Sequence, residues 1–257
     1  MNFKAFDSKM RKYEDVDNQS IMDNVYIVAR LDGKGFHTWV RIHDFERPFD
    51  QKLNKLFVTV CMKLMAESGF KITYGYIQSD EISLLFDLHE SSFSRKTRKI
   101  DSILASYCTA YFNKYSNIET LAMFDCRTIA LPTKEDVVDY FLWRQEDSAR
   151  NALNSYCYWL LRSKGYSKGK ATSMLMHKSV SDKNELLFQD KINYNDLPNW
   201  QKRGVGVYYT STFKEGYNWK TEQSEFSLRR QLTVNYELDM KQQYAAWLER
   251  NVFIDHE

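Results

Sequence analysis

Asp32 closes an apolar run over residues 25–31, and Asp80 lies inside the tetrapeptide Gln78-Ser79-Asp80-Glu81. Both stand where a β-strand should end or turn. Asp32 is followed at once by Gly33, Lys34 and Gly35, and Asp80 falls between the apolar runs 72–77 and 82–86. A strand ending in one carboxylate, beside a tight hairpin carrying another, can hold divalent cations. Magnesium takes hard oxygen ligands and usually keeps one or two carboxylates together with substrate phosphates. With two such ions, one activates an attacking oxygen and the other stabilises a leaving oxygen. The chemistry expected of Asp32 and Asp80 is therefore transfer of a phosphorus group between oxygens, with two Mg2+ ions as cofactors.

Each element of this reading also has an ordinary explanation. Asp-Gly is common turn chemistry, and Ser79-Asp80 is an ordinary hairpin turn composition. Glycines after a strand also let backbone N–H groups approach phosphates closely. His37 and His43 have no cysteine or third histidine to complete a zinc set. Lys183, Asn184 and Glu185 at a helix start are equally a charged helix surface. Asp125 and Arg127 alternate on one strand face, where an ion pair is the simplest reading.

The elements that must position the two aspartates follow from periodicity. Residues 3–16 form a short amphipathic helix, and 25–31 a buried strand. Residues 49–68 are helical, with Leu53, Leu56, Phe57, Val60, Cys61, Leu64 and Met65 recurring at spacings of three and four. Runs 72–77 and 82–88 make a hairpin, 95–115 a second long helix, and 122–131 a strand stopped by Pro132. The order β-α-β-β-α-β is the split, ferredoxin-like pattern, giving an α+β fold with one sheet and helices on one face. A second region opens with a long helix from about 137 to 164. Shorter helices follow at 167–176 and 181–189, the latter capped by Ser181 or Asp182. Strands 205–213 and 226–238 then flank a polar loop around Gly216. The expected division is 1–135 as the catalytic region and 136–257 as a helical and β-hairpin region packed with it as one unit. With 3 Pro and 9 Gly scattered along 257 residues, no flexible linker is visible.

Formal net charge is only +2, which excludes a histone-like polycation, but the charge is clustered. Four cations occupy residues 95–99, and five Lys or Arg with no acid occupy 162–178. Either cluster alone reads as a solvated helix face; beside the acid pair they favour a phosphate-rich ligand. Cys61, Cys108, Cys126 and Cys157 form no CxxC pair and read as buried, reduced thiols, as in a cytoplasmic protein. The first residues lack the apolar core of a signal peptide, and no apolar stretch is long enough for a membrane span.

Several motifs carry a family resemblance. The string Arg30-Leu31-Asp32-Gly33-Lys34-Gly35-Phe36-His37 is followed by Phe45-Glu46-Arg47-Pro48 and Gln78-Ser79-Asp80-Glu81. Then come Phe124-Asp125-Cys126-Arg127, Tyr140-Phe141-Leu142-Trp143-Arg144-Gln145, Lys183-Asn184-Glu185-Leu186-Leu187-Phe188 and Ile192-Asn193-Tyr194-Asn195. In this order, from residue 30 to about 204, the chain resembles the tRNA-histidine guanylyltransferases and their bacterial and archaeal relatives. No motif is matched beyond Gly206.

The resemblance implies a palm like that of polymerases and nucleotide cyclases, and addition of nucleotides to the 5′ end of tRNA in the 3′-to-5′ direction. It makes Asp32, Asp80 and Glu81 the catalytic acids, with Asp32, Asp80 and the Gly33 carbonyl as metal ligands. Gly33, Lys34, Gly35, Phe36, His37 and Ser79 would bind the nucleoside triphosphate. Arg95, Lys99, Lys183 and Asn184 would meet phosphates of the activating nucleotide or the tRNA end. The implied partners are tRNA, ATP, GTP and other NTPs, with no membrane, in a homotetramer. One block departs from the family. Eukaryotic members carry His-Ile-Asn-Asn after Trp-Arg-Gln, a block tied to histidine tRNA, where this chain has Ala149-Arg150-Asn151-Ala152. The chain thus looks like the branch that repairs truncated tRNA 5′ ends opposite a template base, and Arg150 is either a phosphate contact or a surface salt bridge. The alternatives are guanine addition to histidine tRNA, a nucleotide cyclase, or a non-catalytic RNA-binding module.

Overall fold

The computed structural model describes residues 2–218 and 223–253. In chain order the elements are α1 (Phe3–Glu14), β1 (Tyr26–Gly33), α2 (Phe36–Ile42), α3 (Gln51–Glu67), β2 (Ile72–Gln78) and β3 (Glu81–Phe86). They continue with α4 (Thr97–Ser116), β4 (Phe124–Leu131), α5 (Lys134–Ser163), α6 (Lys168–Leu175), α7 (Val180–Phe188) and α8 (Asn199–Arg203), then β5 (Val205–Asn218), β6 (Gln223–Asn235) and α9 (Lys241–Asn251). Side chains set several of the helix starts. The Asp50 carboxylate accepts the Leu53 N–H at 2.8 Å and opens α3. Reciprocal bonds between Thr133 and Asp136 open α5, and between Ser179 and Asp182 open α7. The cap of α7 is thus Ser179, two residues before the expected Ser181, because Asp182 serves as its third-position partner.

The six strands form one sheet in the order β4-β1-β3-β2-β5-β6, antiparallel throughout. The first four reproduce the expected ferredoxin-like arrangement, and β5 and β6 from the second region extend it. Expected helices on one face are corrected: the sheet is covered on both. Ile27, Ala29, Leu31, Ile82 and Leu84 pack beneath α3 and α4 with Phe57, Leu64, Leu104 and Phe112. Val28, Tyr74, Tyr76 and Leu85 pack on the other side with Phe141 of α5 and Tyr244 and Leu248 of α9. Strands buried on both faces read as continuous apolar runs, which β2 and β3 are. The second half of α5 leaves the sheet and joins α6 and α7 in a third cluster around Leu153, Cys157, Leu161 and Leu187.

Other differences are local. The stretch after Gly35, to which the sequence assigned no element, is helix α2. Helix α9, short and without a sequence motif, went unread. The expected polar loop around Gly216 is strand instead, since Gly216 pairs with Glu225, and residues 219–222 lie outside the described residues. Past Tyr208, strand β5 has no partner in β2, so β5 and β6 continue as a two-stranded ribbon. The four cysteines are free thiols, three of them buried and Cys126 half-buried. Among the described residues, no helix is long and apolar enough to cross a membrane.

Gly75 marks a close approach between sheet and helix. A Cβ built there would lie 2.3 Å from the Cys61 sulfur on α3. Gly75→Ala is therefore expected to cost about 1–3 kcal/mol, the usual range for overpacking a filled core. Cys61→Ala in the same chain should recover part of that loss, as thermal melting of the single and double variants would reveal.

Candidate active site

Strand register brings the acids together. Asp32, near the end of β1, pairs with Glu81 of β3 on one side and with Asp125 of β4 on the other. Residues opposite each other in antiparallel strands share a face, so these three carboxylates stand in a row across the sheet end. Asp80 precedes Glu81 in the two-residue turn from β2 to β3. Ser79 supplies the positive φ of 50° that the tight turn needs, and its hydroxyl donates to the Asp80 carboxylate at 2.8 Å.

Burial, then the charge of Asp125, pushes the Asp32 carboxyl above its usual range, against the opposing pull of Arg127, Arg30 and Arg144. Burial raises Asp80 as well; the Ser79 hydroxyl opposes it, and the charge of Asp32 adds to it. Neither aspartate forms an ion pair among the described residues. Two partly desolvated carboxylates without a direct ion pair, one raising the other, fit a hard cation. No group of three or more His, Cys, Asp or Glu among the described residues could hold a metal by itself. The fit is therefore to an open site that a phosphate ligand completes, not to a closed structural one.

Glu81 differs from its two neighbours. It is 9% exposed, and Arg144 of α5 donates to both its oxygens, Nε at 2.8 Å and Nη2 at 2.9 Å. Its charge is already answered. Arg144 also reaches Asp147 at 3.0 Å, and Asp147 in turn accepts from Arg150.

The loop after β1 is built by two glycines for two reasons. A Cβ on Gly33 would lie 2.7 Å from the Phe36 ring, so the α-carbon must be bare for that ring to pack. Gly35 adopts φ +63° at the cap of α2. Phe36 is 4% exposed and belongs to the core, while its edge borders the site. Lys34 is exposed, with its N–H donating to the Met123 carbonyl at 2.8 Å. His37 is exposed on α2, and its side chain opposes the rise at Asp80.

Asp32 and Asp80 line a cavity of about 610 Å³ between the sheet end, residues 46–50, α5 and α8. Phe49, Tyr158, Trp159 and Trp200 give it an aromatic wall, and Asn54, Asn151, Asn154 and Gln201 supply amides. The Arg47 guanidinium lies 5.2 Å from the Trp159 ring centre. Size, apolar walls and a few convergent polar groups suit one small-molecule ligand, and flat aromatic faces suit a nucleobase. None of this wall was read from the sequence. Its residues come from three separated segments, and at helical spacing Tyr158 and Trp159 look like core. Arg144 did carry a signal, through its place in the Trp-Arg-Gln motif.

The expected phosphate contacts are dispersed. Arg95 is 3% exposed and spends its guanidinium on the carbonyls of Val25, Leu88 and Glu90. Val25 lies seven residues before Asp32, roughly 23 Å along an extended strand. Arg95, and Lys99 exposed on the first turn of α4, therefore stand at the opposite end of the sheet from the acids. Arg95, expected to meet phosphates of the activating nucleotide or the tRNA end, is buried on backbone carbonyls and braces the fold. Lys183 is half-buried on α7, and Asn184 borders a second cavity of about 330 Å³ with Ser181, Asn193 and Asn195. Arg150 is 74% exposed and held by Asp147, the surface ion pair that was one of its two expected roles. Asp125 and Arg127 pair at 3.8 Å, both well exposed.

The raised carboxyls give a signed pH prediction. A carboxylate whose folded pKa lies above its unfolded value costs stability once ionised; the cost is absent below the unfolded value and complete above the folded one. Without divalent cations, Asp80→Asn should melt above the parent chain at pH 7. The gap should close as pH falls below the ordinary value of 3.8. A parent chain that melts higher at pH 7 would contradict this account of the site.

Comparison with known proteins agrees with this geometry. A family model described as tRNAHis guanylyltransferase matches residues 7–132, and one described as the Thg1 C terminal domain matches residues 135–249. A Drosophila melanogaster protein named probable tRNA(His) guanylyltransferase is 35% identical over 196 residues, 73% of this chain and 68% of that protein. A solved bacterial tRNA(His) guanylyltransferase-like protein in complex with GTP superposes with a TM-score of 0.74 at 30% identity, covering 97% of this chain and all of that one. The Saccharomyces cerevisiae tRNA(His) guanylyltransferase structure gives 0.71 at 28% identity, over 77% of this chain and 91% of its own. Matched along nearly its whole length in sequence and in fold, the chain belongs to the tRNAHis guanylyltransferase family.

Proposed function

We propose that this chain is a 3′-to-5′ nucleotidyltransferase that adds nucleotides to the 5′ end of tRNA, chosen by pairing with the opposite strand. The observation that carries the reading is the Asp32–Asp80 couple, without an ion pair, in the lining of an aromatic-walled cavity. Bacterial relatives bear the descriptions "in complex with GTP" and "in complex with ATP", which supports a nucleotide in that cavity.

The reaction takes two steps. A tRNA 5′-monophosphate has no good leaving group, so its oxygen first attacks the α-phosphorus of ATP and expels pyrophosphate. The 3′-hydroxyl of the incoming nucleotide then attacks the activated 5′-phosphorus, forming a phosphodiester and expelling AMP. Both depend on positioning and charge neutralisation, with no covalent enzyme intermediate. Two Mg2+ ions would be held by Asp32, Asp80 and the Gly33 carbonyl, and would supply charge to the attacking and leaving oxygens. The protein's own part is to orient. The glycine loop admits phosphate close to the backbone at Gly33, Lys34 and Gly35. His37, Ser79 and Lys34 flank the phosphates, and Trp159 or Trp200 offers a face to the base. Lys183, Asn184 and Arg150 lie along α7 and α5 as contacts for the tRNA backbone. Arg95 acts inside the fold, and Lys99 serves phosphate only at the sheet's far end.

Ala149 and Ala152 favour template choice over anticodon reading, because neither offers a hydrogen-bonding side chain where family members specific for histidine tRNA carry His and Asn. Assembly as a homotetramer belongs to the same reading; Phe3, Phe6, Met10 and Tyr13 on α1 are left exposed in the single chain. Guanine addition to histidine tRNA is the second reading, favoured by the relatives' names.

Two outcomes are expected. Asp32→Ala and Asp80→Ala should each abolish both adenylylation and addition while leaving a folded chain, as radiolabelled truncated tRNA and circular dichroism would record. With truncated tRNAs differing in a single base, changing the template base should switch the NTP added, and changing the anticodon should leave rates within a few-fold. Guanine added whatever base lies opposite, under a strict histidine anticodon, would favour the second reading.

A further inference from the structure

Glu81 is the acid next to Asp80 in sequence and opposite Asp32 in the sheet; burial and the charge of Asp32 push its carboxyl up, and Arg144 with Arg30 opposes them. Its side chain is 12% exposed and that of Arg144 is 7%. The two donors of Arg144 take both carboxylate oxygens, the strongest form of such a pair. Arg30 stands 3.9 Å away, and the Ser83 hydroxyl donates at 3.4 Å. On the outer side, the Trp143 ring lies 4.5 Å from the Arg144 guanidinium. Arg144 comes from α5, outside the strands that carry the acids, and its third contact is Asp147 on the cavity wall.

We propose that Arg144 is a positioning residue for the cation site, acting through Glu81: it cancels the charge of Glu81 and clamps the strand end that carries Asp80, so that the site draws on Asp32 and Asp80 alone. A free Glu81 would be a third anionic group beside the pair, able to take the cation away from the geometry that the turn sets. The proposal rests on the reading of Asp32 and Asp80 as cation ligands.

The test is Mn2+ binding to the full chain without substrate, read as free-ion signal by electron paramagnetic resonance, with thermal melting in parallel. A unit charge some 8 Å from a divalent ion under water-like screening changes its affinity by about fivefold. Arg144→Met removes one positive charge and the two guanidinium bonds to Glu81, and should bind Mn2+ tighter by about that factor, while turning over more slowly. Glu81→Gln leaves the guanidinium unanswered and should bind Mn2+ weaker by about that factor. The double variant loses both charges and should return to within about twofold of the parent chain. A brace that only docks α5 would lower melting in both single variants and move Mn2+ affinity in one direction or not at all; either result overturns the proposal. A double variant as weak as Glu81→Gln would mean that Glu81 binds the cation itself, which also overturns it. Should Arg144→Met fail to fold, the near-isosteric Glu81→Gln still decides, since unchanged or tighter binding there contradicts a neutralised Glu81. No Mn2+ binding by the parent chain, matched by Asp80→Asn, would overturn the cation reading itself and this proposal with it.

Discussion

The backbone hydrogen bonds between β1 and β3 fix Asp32 against the turn that carries Asp80, and the chain has no freedom to part them. Slipping the register by one residue would send every side chain to the other face, which the core on both sides of the sheet forbids. Two carboxylates are therefore held close in a partly dry setting, each raised by burial and burdened by a neighbouring acid. Fold stability gains nothing from that arrangement. A cation and the phosphates that follow it would relieve it, which is why the strain reads as function.

The remaining architecture serves this fixed point. Helices α3 and α4 make one face of the sheet dry, and α5 with α9 make the other dry, so the sheet end cannot relax. Helix α5 does two further things along its length. Its first half lays Phe141 and Arg144 on the sheet, and its second half leaves the sheet to meet α6 and α7. The cavity opens where it departs. Acids from the strands, aromatic groups from α5 and α8, and the segment around Arg47 and Phe49 thereby line one space, though they come from distant parts of the chain.

Charge in this molecule divides by whether it is answered. Arg144 and Arg95 are buried and spent, one on a carboxylate and the other on three backbone carbonyls. Lys34 and Lys99 remain at the surface, where water screens them and a polyanion can reach them. Clusters of basic residues in a sequence do not distinguish these cases. Residues 95–99 look uniform, yet Arg95 is a core brace and Lys99 is solvated.

Local pattern determined much of this protein. The places of Asp32 at a strand end and Asp80 in a hairpin turn were legible because each depends on a few adjacent residues. The order of β1, α3, β2, β3, α4 and β4 followed from hydrophobic period, whereas α2 and α9 did not. The apolar continuity of β2 and β3 already carried the two-sided burial, although the strand order alone suggested helices on one face. Tertiary structure decided what depends on distant partners. That Glu81 is neutralised requires Arg144, 63 residues further on. That Arg95 turns inward requires the carbonyl of Val25, 70 residues back. The aromatic wall exists only where three segments converge, and Trp159 or Trp200 has no mark in the sequence to separate a cavity wall from a core. Periodicity reports the face a residue takes within its own element; which element covers that face, and which charge it meets there, is settled by packing across the chain.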